Sequence, residues 1–400
     1  YGLVTYFFII LKPRQLISSF FTFALIFGTL EFIRGIILTG FPWNLIAFSF
    51  TQELEILSII SIIGTYGFNL FCISLFTSPA LLIIKKNKKN IIVCIFFLII
   101  TLLFYFHGSS LKEKFEKSVV ENHKFKVRVI GSNIGLKRFY NEINTVSIIK
   151  DLIEISDPQM SEKIIFLWPE GMFPNIIDED LIQYSSLFEK KFNSNHLLII
   201  GINSQSKDTK GVEYFNSLSV YDNKLTILDS YNKINLVPFG EFLPLESTLR
   251  VIGLRSLTNN YQSYSSGKER NIIEINKKKF SLKILPLICY EIIYSGKLSK
   301  EFDFDLIVNI SEDGWFGKSI GPKQHFTHSI FRAIESGKYV LRSANNGITA
   351  IINPMGVIEQ KVETNKSGHL DLSETIKIET TLFAKFGNKI FGFIILLYIF

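Results

Sequence analysis

Cys289 is the residue of this sequence best placed to do covalent chemistry. It ends the β-rich apolar run 280–288 and is followed by Tyr290 and Glu291. A strand that stops at a cysteine fixes the backbone, and the turn that follows exposes the sulfur. The other two cysteines, Cys72 and Cys94, lie in strongly apolar segments, so the polar part of the chain holds a free thiol. Such a thiol is either a nucleophile or a small buried hydrophobe, and position alone does not decide between them.

Three further polar residues follow apolar runs or lie in Pro/Gly-punctuated loops. Glu170 follows Ile164–Trp168 and a proline, and Lys233 and Glu241 share one loop. A thiol needs a base to become a thiolate, and the tetrahedral intermediate that it forms needs a cationic or hydrogen-bonding partner. Singly, a loop Glu or Lys is usually solvated surface. Together these residues predict thiol-based acyl chemistry.

The histidines offer a competing interpretation, a Cys–His hydrolase. His325 and His328, three residues apart at a helix start, are the best placed to pair with Cys289. The same spacing mimics half of a metal site, but no Cys, Asp or Glu pair with ligand spacing completes it. The glycines form neither a phosphate loop nor a dinucleotide fingerprint. We therefore expect no metal and no cofactor.

The composition indicates that membrane helices carry this chemistry. The 400 residues are 47% hydrophobic and include 38 Phe, which is too apolar for an ordinary soluble enzyme. The net charge of +7 does not indicate nucleic acid, because the clearest basic cluster, Lys85–Lys89, lies between two apolar segments. We predict spans at about 16–38, 57–84 and 91–106, with partial spans at 1–11 and from 390.

The positions of Lys and Arg predict the orientation of these spans. Lys12, Arg14 and the 85–89 cluster are placed in the cytoplasm, which puts the chain from about 107 to 385 outside it. Glu31 and Arg34, three residues apart in the first complete span, either satisfy each other or contact substrate.

The polar part of the chain alternates short β-rich runs with helical stretches, which predicts an α/β layered domain. The predicted strands are 126–130, 164–168, 197–202, 217–221, 224–228, 280–288, 306–310, 339–342 and 349–353, and the predicted helices are 151–155, 181–192 and 326–336.

Several motifs in this order resemble the nitrilase-type carbon–nitrogen hydrolase superfamily, and more closely its membrane branch, the apolipoprotein N-acyltransferases. The resemblance runs from about residue 28 to 360. It rests on Glu31-Phe-Ile-Arg-Gly35, Thr39-Gly-Phe-Pro-Trp43, Trp168-Pro-Glu170, the segment 232–244, Ile288-Cys-Tyr-Glu291, Trp315-Phe-Gly317, Gly321-Pro322, Gln324-His325, Arg332-Ala333 and Arg342-Ser-Ala-Asn-Asn-Gly347.

The resemblance implies transmembrane α-helices plus a nitrilase-like α-β-β-α sandwich, with a Glu-Lys-Cys triad. Glu170 would be the general base, Cys289 the nucleophile and Lys233 the oxyanion partner. Glu241 would orient Lys233 or substrate, and Tyr290 and Glu291 would form a pocket wall. Implied substrate contacts are Trp43, Tyr140 and Trp315, and the apolar segments 242–257 and 314–321 would be lids facing the bilayer.

The implied reaction moves an acyl chain from a phospholipid to the N-terminal amine of a diacylglyceryl-cysteine lipoprotein, through a Cys thioester. The expected enzyme is monomeric, does not bind nucleic acid and lies in a bacterial inner membrane. Its domains would be membrane helices at 1–107, an extracytoplasmic catalytic domain at 108–385 and the start of a last span at 386–400. The alternatives are a membrane-tethered amidase that uses water and an inactive scaffold.

Two segments depart from the family pattern. The family's Asn-Asp-Ala-Trp-Phe-Gly reads Glu312-Asp-Gly-Trp-Phe-Gly317, and its Asn-Ile-Pro-Gln with a following Lys-Trp reads Asn133-Ile-Gly-Leu with Phe139-Tyr140. The family has eight spans, of which about four and a half are present here, so both chain ends are expected to be cut.

Overall fold

The structure is a computed structural model that describes residues 1–11, 13–140, 143–208, 211–244, 263–277, 279–296, 298–299 and 301–399. Its helices are α1 Gly2–Leu11, α2 Leu16–Arg34, α3 Leu54–Leu57, α4 Ile60–Thr77, α5 Pro79–Ile84, α6 Lys88–Glu116, α7 Thr145–Ser156, α8 Ser185–Phe188, α9 Gly321–Ser336, α10 Leu382–Phe386 and α11 Lys389–Ile399.

Among the described residues, three helical stretches are long and apolar enough to cross a membrane. They comprise α2 with 19 residues, α4 and α5 together with 25, and α6 with 29, against the roughly 20 residues that a span needs. α2 ends at Arg34, before the Gly and Pro of the 39–43 loop, and α6 runs past its apolar part to Glu116. The stretch α4–α5 lies inside the bundle, because 56% of its apolar window is buried against 11% for α6.

In the part of the chain that the structure describes, thirteen strands form two sheets. They are β1 Val120–Gly131, β2 Ile164–Leu167, β3 Phe173–Ile177, β4 His196–Asp208, β5 Gly211–Asp222, β6 Ile227–Asn232, β7 Ile273–Lys277, β8 Phe280–Ile288, β9 Leu306–Glu312, β10 Tyr339–Asn345, β11 Thr349–Ile352, β12 Ile358–Val362 and β13 Gly368–Ile376.

The first sheet has the order β13-β1-β2-β4-β5-β6, with β3 beside β4, and the second has the order β12-β11-β10-β9-β8-β7. Each sheet has a parallel centre: β1, β2 and β4 in the first, and β8, β9 and β10 in the second. Strands of a parallel sheet that is covered on both faces have continuous apolar sequences. For this reason the central strands could be predicted from the sequence.

The sheets face each other across one apolar core and carry helices on their outer faces. The core includes Val129 and Leu167 from the first sheet and Ile284 and Val308 from the second. α7 and α8 cover the outside of the first sheet. α9 covers the outside of the second, where its core continues into α2, α4 and α6. This confirms transmembrane helices plus an α-β-β-α sandwich.

The structure also corrects several predicted elements. The predicted strand 224–228 begins only at Ile227, because a turn occupies 223–224 and Leu225 has a left-handed φ of 61°. The predicted helix 181–192 is a 3-10 turn followed by the four-residue α8. β3, β7, β12 and β13 were not predicted. β12 has an exposed middle and β13 mixes apolar with charged residues, so neither shows a continuous apolar run.

Candidate active site

Cys289 lies at the end of β8, between β9 and the edge strand β7 of the second sheet. β8 is buried and pairs with β9 in parallel, so its carboxyl end is held rigidly. The chain then turns at Cys289 with a left-handed φ of 49° and starts a 3-10 turn over Cys289–Ile293. That conformation costs a residue with a side chain roughly 1–2 kcal/mol. The strained turn leaves the cysteine half-buried and unpaired.

Glu170 follows β2 at the facing edge of the first sheet and is buried. Its Oε1 accepts hydrogen bonds from Asn216 Nδ2 at 2.7 Å and Lys233 Nζ at 3.5 Å. Its Oε2 accepts one from the Glu312 backbone N–H at 2.9 Å. A Cβ on Gly201 would lie 2.6 Å from the Glu170 Cα, so only glycine lets β4 pass this close.

Lys233 follows β6 and is 1% exposed. Its Nζ donates to Glu241 Oε1 at 2.9 Å, and Glu241 Oε2 in turn accepts from the Val237 N–H at 2.8 Å. Burial alone would lower the pKa of Lys233, but Glu241 and then Glu170 outweigh it and raise the pKa well above its usual value. Lys233 is therefore an ammonium at neutral pH.

The charges around Cys289 keep its sulfur protonated at rest. Burial raises the pKa of the Cys289 thiol, Glu170 raises it further, and Lys233 opposes them. Two carboxylates, Glu170 and Glu241, share one ammonium, so the cluster already carries a net negative charge. A thiolate there requires that a neighbouring group takes its proton.

Glu291 is fully buried and lies under the site, so it does not form the pocket wall that the sequence suggested. Its Oε1 accepts from the Ile234 and Asn235 N–H groups at 2.9 and 3.1 Å, and its Oε2 accepts from the Ile288 N–H at 2.9 Å. Arg270 pairs with it at 2.7 Å. Burial alone would raise the pKa of Glu291, but Arg270 and these donors lower it. Glu291 thus joins the Lys233 loop to the strand that carries Cys289.

Tyr290 and Trp43 join the site to the membrane helices. The Tyr290 hydroxyl donates to the Gly40 carbonyl at 2.7 Å, in the loop after α2. Trp43, in the same loop, donates from Nε1 to Gln324 Oε1 at 2.9 Å and stacks on His325 with ring centroids 5.6 Å apart. The loop therefore packs directly behind the 3-10 turn that begins at Cys289.

The histidines do not serve as partners of the thiol in this geometry. His325 Nε2 lies 3.1 Å from the Cys289 carbonyl oxygen, not beside the sulfur, and its Nδ1 lies 2.9 Å from Asp313 Oδ1. His328 packs against the rings of Phe48 and Trp43. Within the described ranges, no group of three His, Cys, Asp or Glu residues could hold a metal.

The other predicted substrate contacts lie on the surface. Trp315 is 57% exposed and packs on Phe139 with ring centroids 4.8 Å apart, and Tyr140 is 51% exposed. In the predicted lid 314–321, Ile320 is also exposed. Most of the other predicted lid, residues 245–257 of 242–257, lies outside the described residues.

Sequence reasoning missed the residues that hold the charged groups in place. They are Asn216, Arg270, Arg138, Glu312, Asp313 and Gly201. Asn216 lies in the middle of a strand and donates to both Glu170 and Glu241 at 2.7 Å. A polar residue on a strand that is otherwise buried was the signal that could have identified it.

The fold and the site define a carbon–nitrogen hydrolase domain carried on membrane-spanning helices. Residues 189–377 match the carbon–nitrogen hydrolase family, a range that holds Lys233, Glu241 and Cys289. A solved superfamily member from Xanthomonas campestris covers 62% of this chain and 90% of its own, with 16% identity and a TM-score of 0.42, a likeness too distant to inform the site.

Residues 1–78 match the N-terminal domain of apolipoprotein N-acyltransferase. Proteins named apolipoprotein N-acyltransferase are similar over most of the chain. That of Rickettsia typhi is 32% identical over 370 residues, covering 92% of this chain and 72% of the relative. Those of Rickettsia prowazekii and Rhodopseudomonas palustris are 31% and 29% identical, covering 92% and 90% of this chain and 72% and 68% of the relatives. The chain belongs to the apolipoprotein N-acyltransferase family.

Proposed function

We propose that this chain transfers an acyl chain from a phospholipid to the N-terminal amine of a diacylglyceryl-cysteine lipoprotein, through a thioester on Cys289. The observation that carries the proposal is that Glu170 and Lys233, 3.5 Å apart, both act electrostatically on the half-buried thiol of Cys289, which lies in a strained turn. Membership of the apolipoprotein N-acyltransferase family supports an amine as acceptor.

In the first half-reaction Glu170 removes the thiol proton as sulfur attacks the ester carbonyl of the phospholipid. Because burial and Glu170 raise the pKa of Cys289, the thiol needs a base to remove its proton for the attack. Lys233 stabilises the oxyanion, and Glu241 holds its ammonium at 2.9 Å. Collapse breaks the ester C–O bond, Glu170 returns the proton to the leaving lysophospholipid oxygen, and a thioester remains.

In the second half-reaction the lipoprotein amine attacks the thioester carbonyl. Glu170 accepts the amine proton and Lys233 again stabilises the oxyanion. Collapse breaks the C–S bond, forms the amide and returns the proton to sulfur. One carboxylate therefore acts as base in both halves.

Exposed apolar side chains near the site support a lipid donor. Phe41 and Trp315 are about half exposed. Phe41 stacks on Trp43, which also contacts Phe316 with ring centroids 5.5 Å apart. Such side chains can contact acyl chains at a bilayer surface and keep water from the thioester.

The proposed topology places the catalytic domain outside the cytoplasm of a bacterial inner membrane. The Lys/Arg distribution supports it, with Lys85–Lys89 inside. The proposed division is 1–107, 108–385 and 386–400, although α6 continues through residue 107 to Glu116. The proposed enzyme acts as a monomer, without cofactor or metal.

The acyl-enzyme tests the proposal directly. Incubation of the full chain with phospholipid and no amine should add one fatty-acyl mass to the Cys289 peptide, and neutral hydroxylamine should remove it. Glu170→Gln should form it at least about 100-fold more slowly, the lower end of the effect expected for loss of a general base.

Cys289→Ala is the matched control and should show no adduct, whereas Cys72→Ala and Cys94→Ala should keep it. Acylation of the acceptor with Cys289 unmodified would contradict the thioester mechanism. Free fatty acid released without acceptor at the full turnover rate would instead support a membrane-tethered amidase.

A further inference from the structure

A second charged pair lies directly behind Glu170 and takes no part in the proposed chemistry. Arg138, in the 3-10 turn Leu136–Tyr140, forms an ion pair with Glu312 at the end of β9. Both side chains are essentially inaccessible to solvent. Removing one partner of such a pair leaves an uncompensated buried charge, which proteins tolerate poorly.

The pair holds Glu170 from two directions. The Glu312 backbone N–H donates to Glu170 Oε2 at 2.9 Å. Arg138 Nε donates at 2.9 Å to the carbonyl of Gly171, the residue after Glu170. Arg138 therefore bridges the peptide that follows Glu170 and the residue whose N–H binds its carboxylate.

The surroundings of Glu312 suit an ionised carboxylate, although burial raises the pKa of Glu312, and Arg138 and the hydrogen-bond donors only partly offset that rise. Its Oε1 accepts from the Gly314 N–H at 2.7 Å, and its Oε2 accepts from Asn345 Nδ2 at 2.7 Å and from Arg138. All three neighbours are donors, and a carboxylate only accepts.

We propose that Arg138 and Glu312 are positioning residues for Glu170, which orient its carboxylate toward Cys289 and keep the charge behind it balanced. This inference rests on the proposed role of Glu170 as base. It assigns a role to two segments, 133–140 and 312–314, that depart from the family pattern.

The charge of the Arg138–Glu312 pair predicts the direction in which the pH dependence of Glu170 as a base should shift. Lys233, Glu241, Cys289 and Tyr264 are the other titratable groups that act on or through Glu170, and the variants leave them in place. Arg138 cannot lose its proton, so Glu312→Gln leaves a fixed positive charge behind Glu170. A positive neighbour favours the ionised carboxylate, and Glu170 should then act as base at lower pH.

The test is the rate of Cys289 alkylation by iodoacetamide against pH, measured on the full chain by mass spectrometry of the Cys289 peptide. This readout needs no lipid and no acceptor. Glu312→Gln should move the acid limb of the profile down by roughly half to one pH unit. The double variant Arg138→Met with Glu312→Gln, which removes both charges, should return the limb to the wild-type position.

Two further variants separate positioning from folding. Asp371→Asn, on the edge strand β13, breaks an ion pair at 2.7 Å with the buried Arg128 of β1, in which Asp371 itself is partly exposed, and it should leave the limb in place. Arg138→Lys keeps the charge but loses the bridging fork. It should leave the limb in place and lower the plateau rate several-fold, and it remains testable if Glu312→Gln does not fold.

The outcomes are distinct. A folded Glu312→Gln variant with an unmoved limb, a double variant that keeps the shift, or an Arg138→Lys variant with a wild-type plateau would each overturn the positioning pair. If Glu170→Gln itself leaves the wild-type profile unchanged, the proposed base is wrong. If Glu170→Gln abolishes the pH dependence of alkylation but the Arg138 and Glu312 variants do not change it, only the positioning role of the pair is wrong, and Glu170 remains the proposed base.

Discussion

Among the buried charge clusters of the described residues, the junction between α4 and α9 and the active site are built differently. At the junction between α4 and α9, Glu335 Oε1 accepts from the Thr65 N–H at 2.8 Å, the Thr65 hydroxyl at 2.6 Å and the Ser295 hydroxyl at 2.6 Å. Its Oε2 pairs with Arg332 Nε at 2.8 Å. One carboxylate thus meets one guanidinium, with hydroxyl and amide donors around it.

At the active site the charges are not matched one to one. Glu170 and Glu241 share Lys233, and a thiol in a strained turn lies beside them. The junction holds a membrane helix against the catalytic domain. The active site has two carboxyl groups for one ammonium, which leaves one of them to accept a proton. Burial of charge alone does not identify a functional site; what supports one here is the excess of carboxyl groups beside the proposed nucleophile.

The largest expected effect is at the unmatched cluster. Lys233→Arg keeps the positive charge but replaces a compact ammonium by a planar fork that the 1% exposed site cannot hold in the same place. We expect acyl transfer to fall on the order of 100-fold to 1000-fold with an unchanged melting temperature. Wild-type turnover, measured as N-acylated product, would mean that Lys233 is not the oxyanion partner.

At the matched cluster the expected effect is on stability. Glu335→Gln leaves the Arg332 guanidinium, which is fully buried, without its carboxylate, and should cost about 3–5 kcal/mol. Thermal unfolding in detergent measures this. Because the junction lies outside the chemistry, the protein that remains folded should alkylate Cys289 at the wild-type rate. A folded Glu335→Gln variant with normal stability but slow Cys289 alkylation would mean that the junction supports the chemistry rather than the stability of the protein.

The sequence predicted the parts of the site that its local pattern specifies. Cys289 ends an apolar run, Glu170 follows one, and Lys233 lies in a loop marked by Pro and Gly, so these positions could be anticipated. The central strands of both sheets were found for the same reason. The roles of the triad stay predictions, although the structure brings Glu170, Lys233 and Glu241 into one cluster.

What the sequence could not show depends on contacts between distant segments. Glu291 was placed in a pocket wall, but it bonds to the N–H groups of Ile234 and Asn235, more than 50 residues away. Arg138, in the 3-10 turn Leu136–Tyr140, and Glu312, at the end of β9, are 174 residues apart. A charged residue in a polar loop looks solvated until the fold brings its partner to it.

The smallest expected effect is at Trp315, which belongs to neither cluster. Its ring is 57% exposed and packs on Phe139, so replacement by alanine removes apolar surface without leaving a buried charge or donor unpaired. If this surface holds the donor's acyl chain, Trp315→Ala should raise KM for phospholipid in mixed micelles about fivefold, which corresponds to roughly 1 kcal/mol. Turnover at saturating lipid and Cys289 alkylation should not change.

Trp315→Phe should restore most of the affinity, because an apolar ring remains. Ile182→Ala, an equally exposed apolar residue on the outer side of the first sheet at 49% exposure, should leave KM unchanged. A fall in the alkylation rate of Trp315→Ala would instead connect Trp315, through Phe139 and Arg138, to the positioning of Glu170.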